Sequence, residues 1–125
     1  MEYYNACIVF SSELKIEELG KIISDKILGG AKLDGLEKCI YEEVPAIYTK
    51  NGVLGFEIVL AGYSGLNKDN DEYYNFIIDD CIQRKINKEN KLDNNDSYNL
   101  SKYLVELFKY EFKDSNIIKN IELCE

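Results

Sequence analysis

The sequence predicts an α+β fold in which an antiparallel sheet carries two helices, or three if one ambiguous segment is helical. Three observations lead there. Short β-branched and aromatic runs occupy residues 3–10 and 116–124. Two segments place apolar residues at helical spacing. A tight-turn signal, Asn51-Gly52, separates two extended arms. At 125 residues one domain is expected, and 46% hydrophobic residues suffice for a packed core.

The elements follow in order. Tyr3 to Phe10 reads as a strand. Ser11 and Ser12 offer an N-cap for a helix whose stripe is Ile16, Leu19, Ile22, Ile23 and Ile27, stopped by Gly29-Gly30. Residues 38–49 look extended, with Pro45 marking an edge or a bulge because it has no N–H for a ladder. Val53 to Tyr63 is the second arm of the hairpin, alternating Phe56, Ile58 and Leu60 with Glu57, Val59 and Ala61. Residues 64–72 read as a polar loop.

Residues 73–86 fit two periods. Tyr74, Ile77, Ile78, Cys81, Ile82 and Ile86 make a helical stripe, whereas Tyr74, Phe76 and Ile78 alternate as in a strand. Residues 87–96 form a polar connection. Leu100, Tyr103, Leu104, Leu107, Phe108 and Phe112 then define a helix, capped by Asp96, Ser97 or Asn99. A strand over Asn116 to Cys124 closes the order β-α-β-β-(β or α)-α-β, which is ferredoxin-like in outline.

Chemistry is constrained by what the chain lacks. With no histidine, neither a Ser-His-Asp nor a Cys-His arrangement can form. Gly62-Tyr63-Ser64-Gly65 misses the GxSxG spacing of a nucleophile elbow. Asn67, Asp69 and Asp71 have the spacing of a calcium loop's first ligands, but Glu72 and Ile78 stand where Gly and Glu are needed. Asp93, Asn95 and Ser97 fail in the same way, with Tyr98 in the glycine position. Asp79 and Asp80 point apart in either a strand or a helix, so a second carboxylate such as Glu42, Glu43 or Glu57 has to come from the fold. No metal, no cofactor and no enzymatic activity are expected.

Cys7, Cys39, Cys81 and Cys124 show no CxxC pairing, and Cys7 and Cys124 lie in apolar segments, so buried free thiols are expected. The even count leaves a disulfide open. The start, Met1-Glu2-Tyr3-Tyr4, has no basic region followed by an apolar run, and no stretch approaches a membrane helix. A cytoplasmic protein with no membrane partner is expected.

The formal net charge of −8 is spread evenly: 10 acids against 6 bases in the first 62 residues, 13 against 9 in the rest. Such a field repels nucleic acid and attracts basic partners. Ten tyrosines without a tryptophan supply large contact area with polar tips. The predicted partner-binding residues are Glu42, Glu43, Tyr48, Asp69, Asp71, Glu72, Tyr73, Tyr74, Asp79 and Asp80.

Abundant Asn, Lys, Ile, Tyr and Asp with a single proline resemble the output of an AT-rich bacterial or mobile-element genome. Glu43-Val44-Pro45-Ala46-Ile47-Tyr48 with Leu54-Gly55-Phe56-Glu57-Ile58-Val59-Leu60 is similar to the central hairpin of small immunity proteins. The whole acidic, Tyr-rich chain loosely resembles the immunity proteins that neutralise bacterial polymorphic or contact-dependent toxins. The resemblance implies binding of a basic toxin domain, such as a nuclease, through an acidic face. The alternative is a small-molecule-binding or regulatory module on a ferredoxin-like sheet.

Overall fold

The computed structural model describes residues 3–36, 46–49, 53–66, 72–91 and 97–124. The predicted α+β class is observed: the described residues form seven strands and three helices in the order β1 (Tyr3–Ser12), α1 (Ile16–Lys26), β2 (Gly35–Leu36), β3 (Ala46–Tyr48), β4 (Glu57–Leu66), β5 (Glu72–Asp79), α2 (Cys81–Glu89), β6 (Ser97–Asn99), α3 (Ser101–Glu111) and β7 (Lys119–Leu123).

The sheet runs β2-β3-β4-β5-β1-β6, with β7 also on β1. Every pairing is antiparallel except β1 with β6. Strand alternation decides the core. Ala6, Ile8 and Phe10 of β1, Ile58 and Leu60 of β4, and Tyr74, Phe76 and Ile78 of β5 share one face and are buried. Ile16, Leu19 and Ile23 of α1, Leu104, Val105 and Phe108 of α3, and Phe112 at its C-cap cover that face, so both helical stripes meet one layer of sheet. Phe108 sits at its centre, 5.6 Å from the Phe10 ring and 5.0 Å from the Phe76 ring.

The ambiguous segment 73–86 is both things in turn. Residues up to Asp79 are strand because β1 and β4 flank them on either side. From Cys81 the chain is helical, burying Gln83 and Asn87 four residues apart. The third helix is therefore real, and it extends to Glu89 into the stretch read as a polar connection. That stretch is followed by β6, whose exposed Ser97, Tyr98 and Asn99 carry no apolar alternation to announce a strand. Of the stretch read as a polar loop over 64–72, residues 64–66 belong to β4 and Glu72 to β5.

Two local expectations change: the cap of α1, and the start of the second hairpin arm, which was read from Val53 and begins at Glu57. Ser11 and Ser12 belong to β1. Ser12 Oγ accepts the Leu14 N–H at 3.2 Å, while the α1 N-cap is Lys15, without a side-chain bond. The hairpin arms pair as Ala46↔Ala61, Ile47↔Leu60 and Tyr48↔Val59. Asn51-Gly52 and Pro45 lie outside the described residues, and the tight turn within them is Leu54-Gly55, both at positive φ. The N-cap of α3 is Leu100, without a side-chain bond; Asn99, foreseen as a cap, stands one residue before it and accepts the Ser101 N–H at 2.8 Å.

The largest departure concerns the cysteines. β7 lies beside β1 with Ile8↔Leu123 and Val9↔Glu122, which brings Cys124 opposite Cys7 at a Cα separation of 5.6 Å. The two are joined as a disulfide, not left as free thiols. Their separation of 117 residues in sequence hid a proximity that only the strand order creates.

Candidate functional site

Asn5, Cys7 and Val9 of β1, Tyr73, Asn75, Ile77 and Asp79 of β5, and Glu57, Val59 and Ala61 of β4 alternate with the core residues and build a second face, away from α1 and α3. Tyr48, Val59, Ile77 and Cys7 follow one another across β3, β4, β5 and β1. Ala46, Ala61, Asn75, Val9 and Glu122 form the neighbouring row, which reaches β7. Ala46, Val59 and Ala61 are buried, packed with Tyr48 and Ile77. The rest, over β5 and β1, is half-exposed: Tyr73, Asn75, Ile77 and Asp79 beside Asn5, Cys7 and Val9. The Tyr48 ring lies so close over Gly35 that a β-carbon there would run into it.

Glu57 and Asp79 are register partners on this face, so the second carboxylate beside Asp79 is supplied by β4. Next to them is a shallow cavity of about 350 Å³ lined by Asn5, Ala6, Cys7, Ile77, Ile78, Asp79, Asp80 and Asn99. The carboxylate and carboxamide oxygens of this lining can accept hydrogen bonds, and the Asp79 carboxylate attracts cationic groups. Sequence reasoning missed Asn5 and Asn99 because they meet only through the parallel pairing of β1 and β6, Asn5↔Asn99.

The predicted binding residues divide accordingly. Tyr48, Tyr73 and Asp79 stand on the outer face. Asp80 adjoins it, but its carboxylate is taken up by Arg84 at 3.0 Å. That hydrogen bond and the charge of Asp80 raise the Arg84 guanidinium above its usual pKa. Arg84 also stacks over Tyr3 at 4.7 Å, so the acid at 80 is locally neutralised. Tyr74 is removed from any surface: it is 0% exposed, and its hydroxyl donates to the Leu14 carbonyl at 2.6 Å. It falls on the core side because residues alternate, which its sequence neighbour Tyr73 does not reveal. Glu72 heads β5 opposite Ser12 and Leu66. Glu42, Glu43, Asp69 and Asp71 lie outside the described residues.

Among the described residues the most exposed tyrosines are Tyr103 and Tyr110, on the side of α3 away from the core, at 62% and 65%. Among the described residues no group of three Cys, Asp or Glu side chains is placed to hold a metal, and no helix is long and apolar enough to cross a membrane. No protein-family model, curated protein or solved structure matches this chain.

Proposed function

We propose that the chain is an immunity or inhibitor protein that binds and neutralises a cognate bacterial toxin through an acidic, Tyr-bearing surface. The observation that carries this reading is the half-exposed sheet face on which Tyr48, Tyr73 and Asp79 stand together, with Glu57 beside Asp79, opposite the helices. A rigid sheet loses little entropy on binding, tyrosines supply contact area, and a net charge of −8 selects a basic surface. A toxin domain with a basic active site, as a nuclease has, would be occluded sterically and electrostatically. The ferredoxin-like outline is supported by the central order β7-β1-β5-β4, all antiparallel, with α1 between β1 and β4 and the other helices between β5 and β7. Action in the cytoplasm, ahead of the toxin's target, fits the reading of a binder that is not an enzyme.

The test is protection and association. Cells producing a toxin encoded beside this chain's gene are expected to survive when the chain is co-produced. Association of the purified pair should slow as salt rises, because steering worth roughly 10–10³-fold in on-rate is screened. Reversing Glu57→Lys and Asp79→Lys together should flatten that salt slope while circular dichroism stays native. No protection, or a wild-type on-rate and slope in the reversed variant, removes this face from consideration. Contacts would then be sought on α3 around Glu106, Tyr110 and Glu111.

A second reading, a small-molecule-binding or regulatory module, is favoured by the cavity of about 350 Å³ at Asn5, Asp79, Asp80 and Asn99. A small cation that raises the melting temperature of the wild type, but not of Asp79→Asn, would support it.

A further inference from the structure

β1 has two different neighbours along one edge, and Cys7 sits at the seam between them. Tyr3, Tyr4 and Asn5 pair with β6, and Leu100 N–H continues that edge by donating to Asn5 O at 2.8 Å. From Ile8 onward the neighbour is β7. At Cys7 itself, the N–H donates to Ser101 Oγ at 2.9 Å, and the carbonyl accepts the Cys124 N–H at 3.3 Å.

The two halves of the C-terminal segment are held unequally. Its first half is anchored by the buried Ile118, by the partly buried Ile117 and Ile121, and by Asn120 Nδ2 donating to Ser11 Oγ at 2.9 Å. A register shift between Val9 and Ser11 and the positive φ of Asn120 separate it from the second half. Beyond that irregularity, Glu122 and Leu123 are exposed. The pairing there rests on Ile8↔Leu123, Val9↔Glu122 and the Cys7–Cys124 bond.

We infer that the Cys7–Cys124 disulfide is a redox latch that holds the second half of β7 on β1, and that a dithiol reductant opens it without unfolding the sheet. Both half-cystines are partly exposed, so a thiolate can reach the bond. One thiolate of the reductant attacks a sulfur and forms a mixed disulfide. Its second thiol resolves that bond, and the products are two protein thiols and the oxidised, cyclic reductant. Two electrons and two protons pass to the protein. Opening frees residues 122–124, releases the Cys7 carbonyl, and uncovers the β1 edge beside Val9, reshaping the outer face next to Ile77. The latch does not depend on the identity of any partner.

The test uses the full chain labelled with ¹⁵N, oxidised and then treated with dithiothreitol. Peptide mapping of the oxidised protein should recover Cys7 and Cys124 linked. On reduction, the backbone order parameters of residues 122–124 should fall from the rigid range near about 0.85 to below about 0.6. Those of residues 117–121 and 72–79 should hold, and reoxidation should restore the first state. Cys124→Ser should match the reduced wild type with or without dithiothreitol, which separates this bond from Cys39 and Cys81. Three results would overturn the inference: unchanged order at 122–124, collapse of the whole dispersed spectrum on reduction, or recovery of Cys7 and Cys124 as free thiols after oxidation.

Discussion

Leu54 occupies a place that conflicts with its local preference. It is 94% exposed and holds φ 53°, followed by Gly55 at φ 82°, in a turn closed by reciprocal bonds between Val53 and Phe56 at 2.8 Å. Positive φ at both central positions is the hairpin geometry that favours Asn-Gly. A leucine side chain pays about 1–2 kcal/mol for the left-handed region and here buries nothing in return. Leu54→Asn is therefore expected to stabilise the protein by roughly 0.5–1 kcal/mol. A urea midpoint at or below that of the wild type would show that the turn does not carry this strain. Other single residues are matched to unusual surroundings: Gly35 because the Tyr48 ring lies against it, and Tyr74 because its hydroxyl reaches Leu14 O from a fully buried ring.

Between elements, the junction of β5 and α2 shows how a side chain can stand in for a strand. β5 leaves the sheet at Asp79, while β1 continues back to Tyr3. The backbone of Tyr4 would be left open on that side. Gln83, 2% exposed on α2, closes it: the Tyr4 N–H donates to Gln83 Oε1 at 2.8 Å, and Gln83 Nε2 donates to Tyr4 O at 3.0 Å. Gln83→Leu keeps the volume and removes both bonds. The expected cost is roughly 1–3 kcal/mol for each group left without a partner, with faster hydrogen exchange at the Tyr4 amide. Wild-type stability together with unchanged exchange would refute the bridge. The same junction explains what the sequence could and could not reveal. The period-2 and period-3.6 patterns overlap on Tyr74 to Ile86, and only the presence of β4 and β1 on either side decides where one ends. Strong stripes, as in α1 and α3, were legible because burial of one face repeats within the segment itself. β6 was not, since three exposed residues pair only through their backbone. The outer face was half legible: Tyr48, Tyr73 and Asp79 were named, with Glu57 among three candidates for a second carboxylate, but Asn5 and Asn99 are brought there only by the pairing of β1 with β6.

For the molecule as a whole, the Cys7–Cys124 bond matters through the unfolded chain as well as through β7. It closes a loop spanning 117 residues, almost the entire sequence. In the chain-entropy account, such a crosslink removes freedom from the denatured ensemble, and a loop on the order of 100 residues corresponds to about 4.7 kcal/mol. Measured effects run lower, about 2–4 kcal/mol, because reduced unfolded chains retain structure. Reduction is expected to lower the unfolding free energy by that smaller amount, within a total of about 5–15 kcal/mol for a domain of this size. The helix-covered core, from Phe10 through Phe76 to Phe108, contains neither cysteine, so the reduced protein should still unfold cooperatively. The measurement is urea denaturation of the wild type with and without dithiothreitol, alongside Cys124→Ser. The variant should fall on the reduced curve, with a larger m-value than the oxidised protein because its denatured state expands further. If the reduced and oxidised midpoints coincide, the bond constrains neither state. If the reduced chain shows no cooperative transition at all, the sheet depends on the crosslink itself and the packing of α1 and α3 on it is insufficient.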